Sequence, residues 1–428
     1  MDNRFRRSFF ITVSLGLSLG LIVLAPVIPF IHENMMAWLT GTAAFIAVLS
    51  FIKPNHFDTI FAALLAATFG VVWQLFPDMD QRLLAIRTCS GTAFVLLNCV
   101  LLIGPWARFT KIIEKLYRHR RHMGVVTFLL GLAHFSLLFG PYFDYSFENA
   151  FMALFTFFGF TALLVMFFLA LTSWDWCQKH IGSKQWKIIH AVSLLIYVAS
   201  AGYAVWVNTS KGLPIDTYFY IAVPAFIIFW ILVAPWGLAP KFIRYVMGWK
   251  QFHVLIYIAY VSVIIHGWEA ASMIMPEWMK VVFWGLPAFV AASHSVGLLR
   301  KWGQENALKE VEKNAETLHE GGFDFICAGG TDDFKENLGR KILVNGQPVT
   351  VFKLKDSFYA WYAVCPHQKG PLERGKIVKG YLTCPWHQWQ FSVKDGMAPP
   401  GYKDCVPYYP TLVKNSKVYV RKTPKSGQ

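Results

Sequence analysis

The chain has 428 residues, of which 55% are hydrophobic, and its formal net charge is +15 at pH 7. This composition excludes an ordinary soluble globular protein, because the apolar residues gather in runs of about 20, long enough to cross a bilayer as helices. The positive charge is attributed to basic cytoplasmic loops, so no nucleic-acid partner is expected. The seven cysteines show no spacing typical of a disulfide framework.

Ten apolar runs are predicted to be membrane helices. They cover residues 9–30, 34–52, 58–76, 86–104, 122–140, 151–172, 186–207, 216–236, 249–268 and 280–298. The first run follows the basic start MDNRFRR and lacks a small-residue cleavage site. It is therefore interpreted as a retained helix and not as a signal peptide.

The basic residues of the loops predict the orientation of the chain. Taking alternate loops as facing the same side, sixteen Lys and Arg residues fall on the side of the N-terminus and four on the other. Basic loops stay in the cytoplasm, so both termini of a chain with an even number of spans are expected there. The sequence thus predicts an integral protein of a bacterial inner membrane, with the lipid bilayer as its first partner.

The region after the last span has a different character. Residues 299–320 are rich in helix formers of mixed charge and are predicted to be a solvated linker helix. Beyond Gly321-Gly322, alternating runs such as ILVNGQPVTVFKL predict short strands, with Asn345-Gly346 as a hairpin turn. The predicted fold is multidomain, a polytopic helical membrane bundle followed by a small all-β domain. Its divisions are residues 1–85, 86–298, 299–320 and 321–428.

Two Cys-plus-His pairs stand in the all-β region. Cys365 and His367 are followed after sixteen residues by Cys384 and His387. This is the ligand set of a Rieske [2Fe-2S] centre, in which two thiolates hold one iron and two neutral imidazoles hold the other. A Cys2His2 zinc site uses the same donors, but zinc fingers usually place a Cys pair before a His pair.

The stretch CPHQKGPLERGKIVKGYLTCPWHQWQFSVKDG resembles Rieske ferredoxins and the Rieske domains of ring-hydroxylating oxygenases. The resemblance covers roughly residues 321–422 and includes the Pro-Leu-x-x-Gly run that ends at Gly375. Rieske proteins of cytochrome bc complexes carry an extra Cys in each ligand loop, where this chain has Gln368-Lys369 and Gln388. The resemblance therefore implies the ferredoxin-type branch.

Histidines recur on three of the predicted membrane helices, where ionisable groups are rare and are functional candidates. They are His122 and His134 on the fifth, His190 on the seventh, and His253 and His266 on the ninth. His253 and His266 are thirteen residues apart, which is about 20 Å along a helix. The pattern predicts two layers of axial heme ligands, with His134 and His266 away from the cytoplasm and His122, His190 and His253 toward it. Packed polar roles are the alternative, and His122 at the membrane edge fits a solvated role equally well.

The segments RTCSGTAFVLLNCVLLIGPWARF, YRHRRHMGVVTFLLGLAHF and KQWKIIHAVSLLIYV resemble the ferric reductase-like transmembrane family over about residues 86–207. The resemblance implies one or two b-type hemes, with His134 and His190 as ligands. That family often has another His at the position of Tyr203. We expect His253 and His266 to supply what Tyr203 does not.

These features together predict an oxidoreductase that acts as an electron-transfer component, with no catalytic residue assigned. Electrons are expected to pass from a cytoplasmic donor, a reductase or a ferredoxin, through the Rieske cluster to heme and on to an unknown acceptor. Two alternatives remain open at this point. One is a membrane-bound Rieske-type oxygenase or reductase component, and the other is a heme-free membrane-anchored ferredoxin or redox sensor.

Overall fold

The computed structural model describes residues 37, 40, 41, 44, 56–173, 183–233, 255–366, 370–385, 388–400 and 404–425. The predicted helices at 9–30 and 34–52 fall almost entirely outside these residues. The chain forms two compact units. The first comprises Met1–Leu101 and His119–Ala288, and the second comprises Leu102–Arg118 and Phe289–Gln428.

The helices account for the predicted membrane bundle. They are α1 His56–Leu75, α2 Gln81–Trp106, α3 Lys111–Leu116, α4 Arg120–Phe143, α5 Phe147–Phe151, α6 Leu154–Thr172, α7 Ser183–Ser210, α8 Thr217–Val233, α9 Ile256–Ala271 and α10 Glu277–Lys313. Five of these are long and apolar enough to span a bilayer, namely α2, α4, α6, α7 and α10. Shorter apolar helices lie within α1, α8 and α9. In the described part of the chain, eight of the ten predicted spans are therefore helical.

Helix α6 lies at the centre of the first unit. It carries no charged residue, and its buried residues recur at i, i+3 and i+4, which places them on one half of the helix. Phe167 and Leu171 on the opposite side are exposed. It packs most extensively against α9 and also contacts α4 and α7. Phe157 and Phe158 of α6 are fully buried, as is Trp230 of α8.

The predicted linker helix at 299–320 differs from the structure. Helix α10 continues without a break from Glu277 to Lys313, so the last membrane span and most of the linker are one helix. Thr317–Glu320 instead form strand β1, which pairs with β2. Gly321 and Gly322 both have positive φ and close this hairpin, so strand pairing overrides helix propensity here.

The second unit ends in an all-β domain, as predicted. Its strands are β1 Thr317–Glu320, β2 Phe323–Gly330, β3 Arg340–Val344, β4 Gln347–Leu354, β5 Ser357–Tyr362, β6 Lys376–Val378, β7 Tyr381–Thr383, β8 Gln390–Ser392, β9 Tyr408–Tyr409, β10 Thr411–Lys414 and β11 Lys417–Arg421. They form three antiparallel sheets in the orders β1-β2-β11-β10, β3-β4-β5-β9 and β6-β7-β8. Asn345 and Gly346 have positive φ and join β3 to β4, which confirms the predicted hairpin.

Two hydrophobic cores stabilise this domain. One lies between the two four-stranded sheets and includes Val349, Val351 and Val418. The other gathers Phe352 and Trp361 with the small sheet β6-β7-β8. The second core is the one that contains the cysteines of the predicted metal site.

Candidate redox centres

Two similar loops carry the cysteines of the Rieske motif. The N–H of Cys365 donates to the carbonyl of Gly370 at 2.9 Å, and the N–H of Cys384 donates to the carbonyl of Trp389 at 2.8 Å. In each loop the cysteine is thus bonded to the fifth residue after it. Both cysteines are 1% exposed. The motif is therefore built twice, as two short loops that each begin at a buried sulfur.

The two loops are held by the same apolar cluster. Cys365 follows β5 and Cys384 follows β7, and both belong to the core with Phe352 and Trp361. The Pro-Leu-x-x-Gly run lies between them. A Cβ atom at Gly375 would stand 2.5 Å from the carbonyl oxygen of Thr383. The glycine of that run thus allows the segments that carry the two loops to approach closely.

His367 and His387 lie outside the described residues. Among the residues that are described, no group of three or more His, Cys, Asp or Glu side chains is close enough to hold a metal. The donor set nevertheless fits a [2Fe-2S] centre, because both buried sulfurs open loops of matching closure and each loop has a His within three residues.

A charged contact in the second unit was not predicted from the sequence. Arg374, next to the cluster loops, donates from Nη1 to the carbonyl of Ala107 at 3.1 Å and lies 3.4 Å from Oε1 of Glu114. Ala107 follows α2, and Glu114 lies in α3. The all-β domain therefore contacts the loop between α2 and α4. Beside Arg374, burial raises the pKa of Glu373, and the positive charge of Lys341 opposes this rise.

Two of the predicted heme ligands face each other in the first unit. The rings of His134 on α4 and His266 on α9 have centroids 6.1 Å apart and planes at 81°. Nδ1 of His134 lies 3.2 Å from the carbonyl of Ile86, and Nδ1 of His266 lies 3.0 Å from that of Phe155. A carbonyl oxygen can only accept, so both Nδ1 atoms donate and both Nε2 atoms are left as metal-binding nitrogens.

The distance between the two rings suits a shared metal. A ring nitrogen binds a first-row metal ion at about 2 Å. Two such bonds, together with the distance from each nitrogen to the centre of its own ring, account for the observed centroid distance of 6.1 Å. The spacing of the pair would therefore allow both imidazoles to bind one iron.

The remaining predicted ligands lie elsewhere. His190 is buried on α7, and its Nε2 lies 3.2 Å from the carbonyl of Trp230. His122 is half-buried near the start of α4, with the ring of His119 at 6.1 Å. Tyr203 stacks on Trp206. His253 lies outside the described residues.

Comparisons with known proteins match the helical part and the all-β part of the chain to two different families. Residues 89–201 match the family model of the ferric reductase like transmembrane component, and residues 324–410 match that of the Rieske [2Fe-2S] domain. His134 and His190 fall inside the first match, whereas His266 lies beyond it.

Curated relatives exist for each part. The ferredoxin component of the alkene monooxygenase system of Xanthobacter autotrophicus is 30% identical over 106 residues, which cover 24% of this chain and 85% of that protein. The protein-methionine-sulfoxide reductase heme-binding subunit MsrQ of Polaromonas naphthalenivorans is 25% identical over 218 residues, covering 48% and 95%. MsrQ of Brucella melitensis is 30% identical over 172 residues, covering 39% and 74%.

Proposed function

Because the chain belongs to the ferric reductase-like transmembrane family and to the Rieske [2Fe-2S] family, we propose that it carries electrons across a membrane. The path runs from a cytoplasmic donor through the Rieske cluster to b-type heme and then to an acceptor. The chain is an integral membrane protein made of two electron-transfer modules. The observation that carries the proposal is that one chain holds both the paired cysteine loops and the facing pair His134 and His266.

The chain's own residues have separate tasks at the cluster. Cys365 and Cys384 would bind one iron, and His367 and His387 the other. The bound cluster supplies one-electron transfer at a potential that its two neutral imidazole ligands raise. The apolar core around both cysteines keeps water from the sulfur side.

The heme proposal rests first on His134 and His266. In both rings the Nδ1–H donates a hydrogen bond to a backbone carbonyl, and this bond fixes the orientation of the ring before any metal is bound. A second heme would use His190, with His253 or His122 as its partner. In this structure Nε2 of His190 is engaged by the Trp230 carbonyl, so the first pair has the stronger support.

The proposed donor is a cytoplasmic reductase or ferredoxin. Similarity to the ferredoxin component of the alkene monooxygenase system supports this. The proposed location is a bacterial inner membrane with both termini in the cytoplasm. The bacterial relatives and the distribution of Lys and Arg support it.

A reciprocal pair of variants of the full-length protein tests the proposal. Cys384→Ser should abolish the Rieske electron paramagnetic resonance signal and leave heme absorbance unchanged, because the cluster and the heme have separate ligands in separate units. His266→Ala should remove one heme or convert it to high spin and leave the Rieske signal unchanged. Heme and iron per chain, with reduced-minus-oxidised spectra, are the measurements.

The matched controls are Cys405→Ser, an exposed cysteine of the same domain, and Val261→Ala, an exposed residue of α9. Neither should alter either signal. A wild-type protein without heme would support the anchored ferredoxin instead. If His266→Ala left heme content and spin state unchanged, α9 would have no part in heme binding.

A further inference from the structure

Gly159 lies on α6 directly beneath the ring of His266. A Cβ atom built on this glycine would stand 2.8 Å from Nδ1 and 2.9 Å from Cε1 of His266. Non-bonded contacts this short repel strongly, since carbon atoms attract best at about 3.5–4.0 Å. Gly159 is in the interior of a helix, where glycine destabilises by about 1 kcal/mol relative to alanine. What this glycine provides is therefore space for the imidazole.

The same turn of α6 also orients that imidazole. Phe155 lies four residues before Gly159, so the two residues share one face of the helix. The carbonyl of Phe155 accepts a hydrogen bond from Nδ1 of His266 at 3.0 Å, and its ring lies 5.6 Å from the imidazole. One turn of α6 thus supplies both the surface on which the ring lies and the acceptor that fixes its tautomer.

We propose that Gly159 is a positioning residue for His266, and that the space it leaves allows Nε2 of His266 to face His134. The inference rests on the proposed function, in which His266 binds heme. A side chain at position 159 has to displace the ring, because α6 packs against α9 more extensively than against any other helix that the structure describes. A displaced ring loses the bond to the Phe155 carbonyl and no longer faces its partner on α4.

The first test is Gly159→Ala in the full-length protein. Loss of an outer partner of a metal-bound His typically weakens metal binding 10–100-fold, so we expect about tenfold or greater loss of heme retention. Low-spin ferric heme should also decrease relative to high spin, while the Rieske signal is unchanged. The control is Gly131→Ala on α4, where a Cβ would meet Leu163 and Met166 at 3.6 Å, an ordinary contact. Wild-type heme content and spin state in Gly159→Ala would overturn the inference.

A double-mutant cycle separates positioning of the ring from packing of the helices. In a His266→Ala background the ring is gone, so Gly159→Ala should cause no further change in heme content or in recovery of folded protein. Recovery of the double variant when Gly159→Ala alone fails to fold would support the clash. If Gly159→Ala reduced the recovery of folded protein equally in both backgrounds, Gly159 would serve helix packing, and the inference would be overturned.

The cycle also distinguishes the two proposals. If His266→Ala changes the heme and Gly159→Ala does not, the positioning role is wrong and the heme site remains. If His266→Ala itself leaves the heme unchanged, the use of His266 as a ligand is wrong, and the positioning role is overturned with it.

Discussion

Asp333 shows how single residues stabilise the domain that carries the cluster motif. Its carboxylate lies 3.0 Å from Nη1 of Arg340 and accepts the N–H of Gly330 at 2.9 Å. A Cβ at Gly329, which has φ +134°, would stand 2.7 Å from both charged groups. Arg340 and the Gly330 N–H hold the pKa of Asp333 below its usual value. The ionised carboxylate is therefore stabilised in the folded state.

This pKa shift predicts a pH dependence for Asp333→Asn. A carboxyl whose folded pKa is depressed stabilises the fold above its ordinary pKa of about 3.9, and loses this effect as the pH falls through the folded value. The variant should therefore be less stable than wild type at pH 7, and the difference should shrink below about pH 4. Thermal loss of the cluster's visible circular dichroism, followed from neutral to acid pH, measures it.

The neighbouring exposed carboxylate gives the control, Asp332→Asn, which should match wild type throughout. A difference between Asp333→Asn and wild type that is the same at every pH would mean that the ion pair is not responsible.

Individual site residues differed in how far the sequence could predict them. The two candidate cluster cysteines could be proposed from the sequence, because their spacing with His is local and specific. The role proposed for Gly159 could not be, because it depends on His266, and the bond from His266 to Phe155 joins residues 111 positions apart. Nothing near Gly159 in the sequence indicates which helix will pack on it.

At the scale of elements, one short turn connects the cluster domain to the loop after α2. The turn at Leu372–Arg374 follows the first cysteine loop, and its Arg374 is 36% exposed while its partner Glu114 is 16% exposed. Helix α3, which carries Glu114, begins at a cap in which the side chain of Thr110 accepts from the N–H of Ile113. The loop therefore has an ordered structure against which the turn can pack.

Arg374→Ala should loosen this contact. It removes one charge-assisted hydrogen bond to the Ala107 carbonyl and one partly exposed ion pair, together about 2 kcal/mol. We expect faster amide hydrogen exchange in residues 107–118 with the β-sheets unaffected. Glu114→Ala should have a smaller effect, because it leaves the bond to Ala107.

The matched control is Lys376→Ala, an exposed basic residue of β6 in the same segment. It should leave exchange at 107–118 unchanged. If amide exchange at 107–118 were accelerated equally in Lys376→Ala and Arg374→Ala, the cause would be the loss of positive charge in general. That result would contradict a specific contact of Arg374.

The elements themselves were largely predictable. Apolar runs of membrane length marked the helices, and the Asn345-Gly346 turn marked a hairpin, because both signals are local. The boundary between α10 and β1 was not predictable in the same way. Helix formers continue to Lys313, but Thr317–Glu320 gain strand partners only once β2 is in place.

For the whole molecule, the main uncertainty in the sequence was which helices would meet. The family resemblance implied His134 on α4 and His190 on α7, whereas the structure places His266 of α9 against His134. Depth along parallel helices predicted that His134 and His266 share one layer and that His190 lies in the other. The contact itself depends on how α4 and α9 pack against α6, and that packing joins segments far apart in the chain.

The direction of electron flow depends on which side of the membrane holds the cluster. Sixteen Lys and Arg residues on one side of the predicted spans against four on the other favour cytoplasmic termini, since basic loops are retained on that side. A reporter that is active only in the cytoplasm should therefore be active when it is fused after Gln428. A reporter that is active only outside the cytoplasm should be active when it is placed in the predicted external loop at 140–149. Activity of the C-terminal fusion outside the cytoplasm would reverse the topology. The donor would then have to reach the cluster from the external side, and electrons would enter the chain from there.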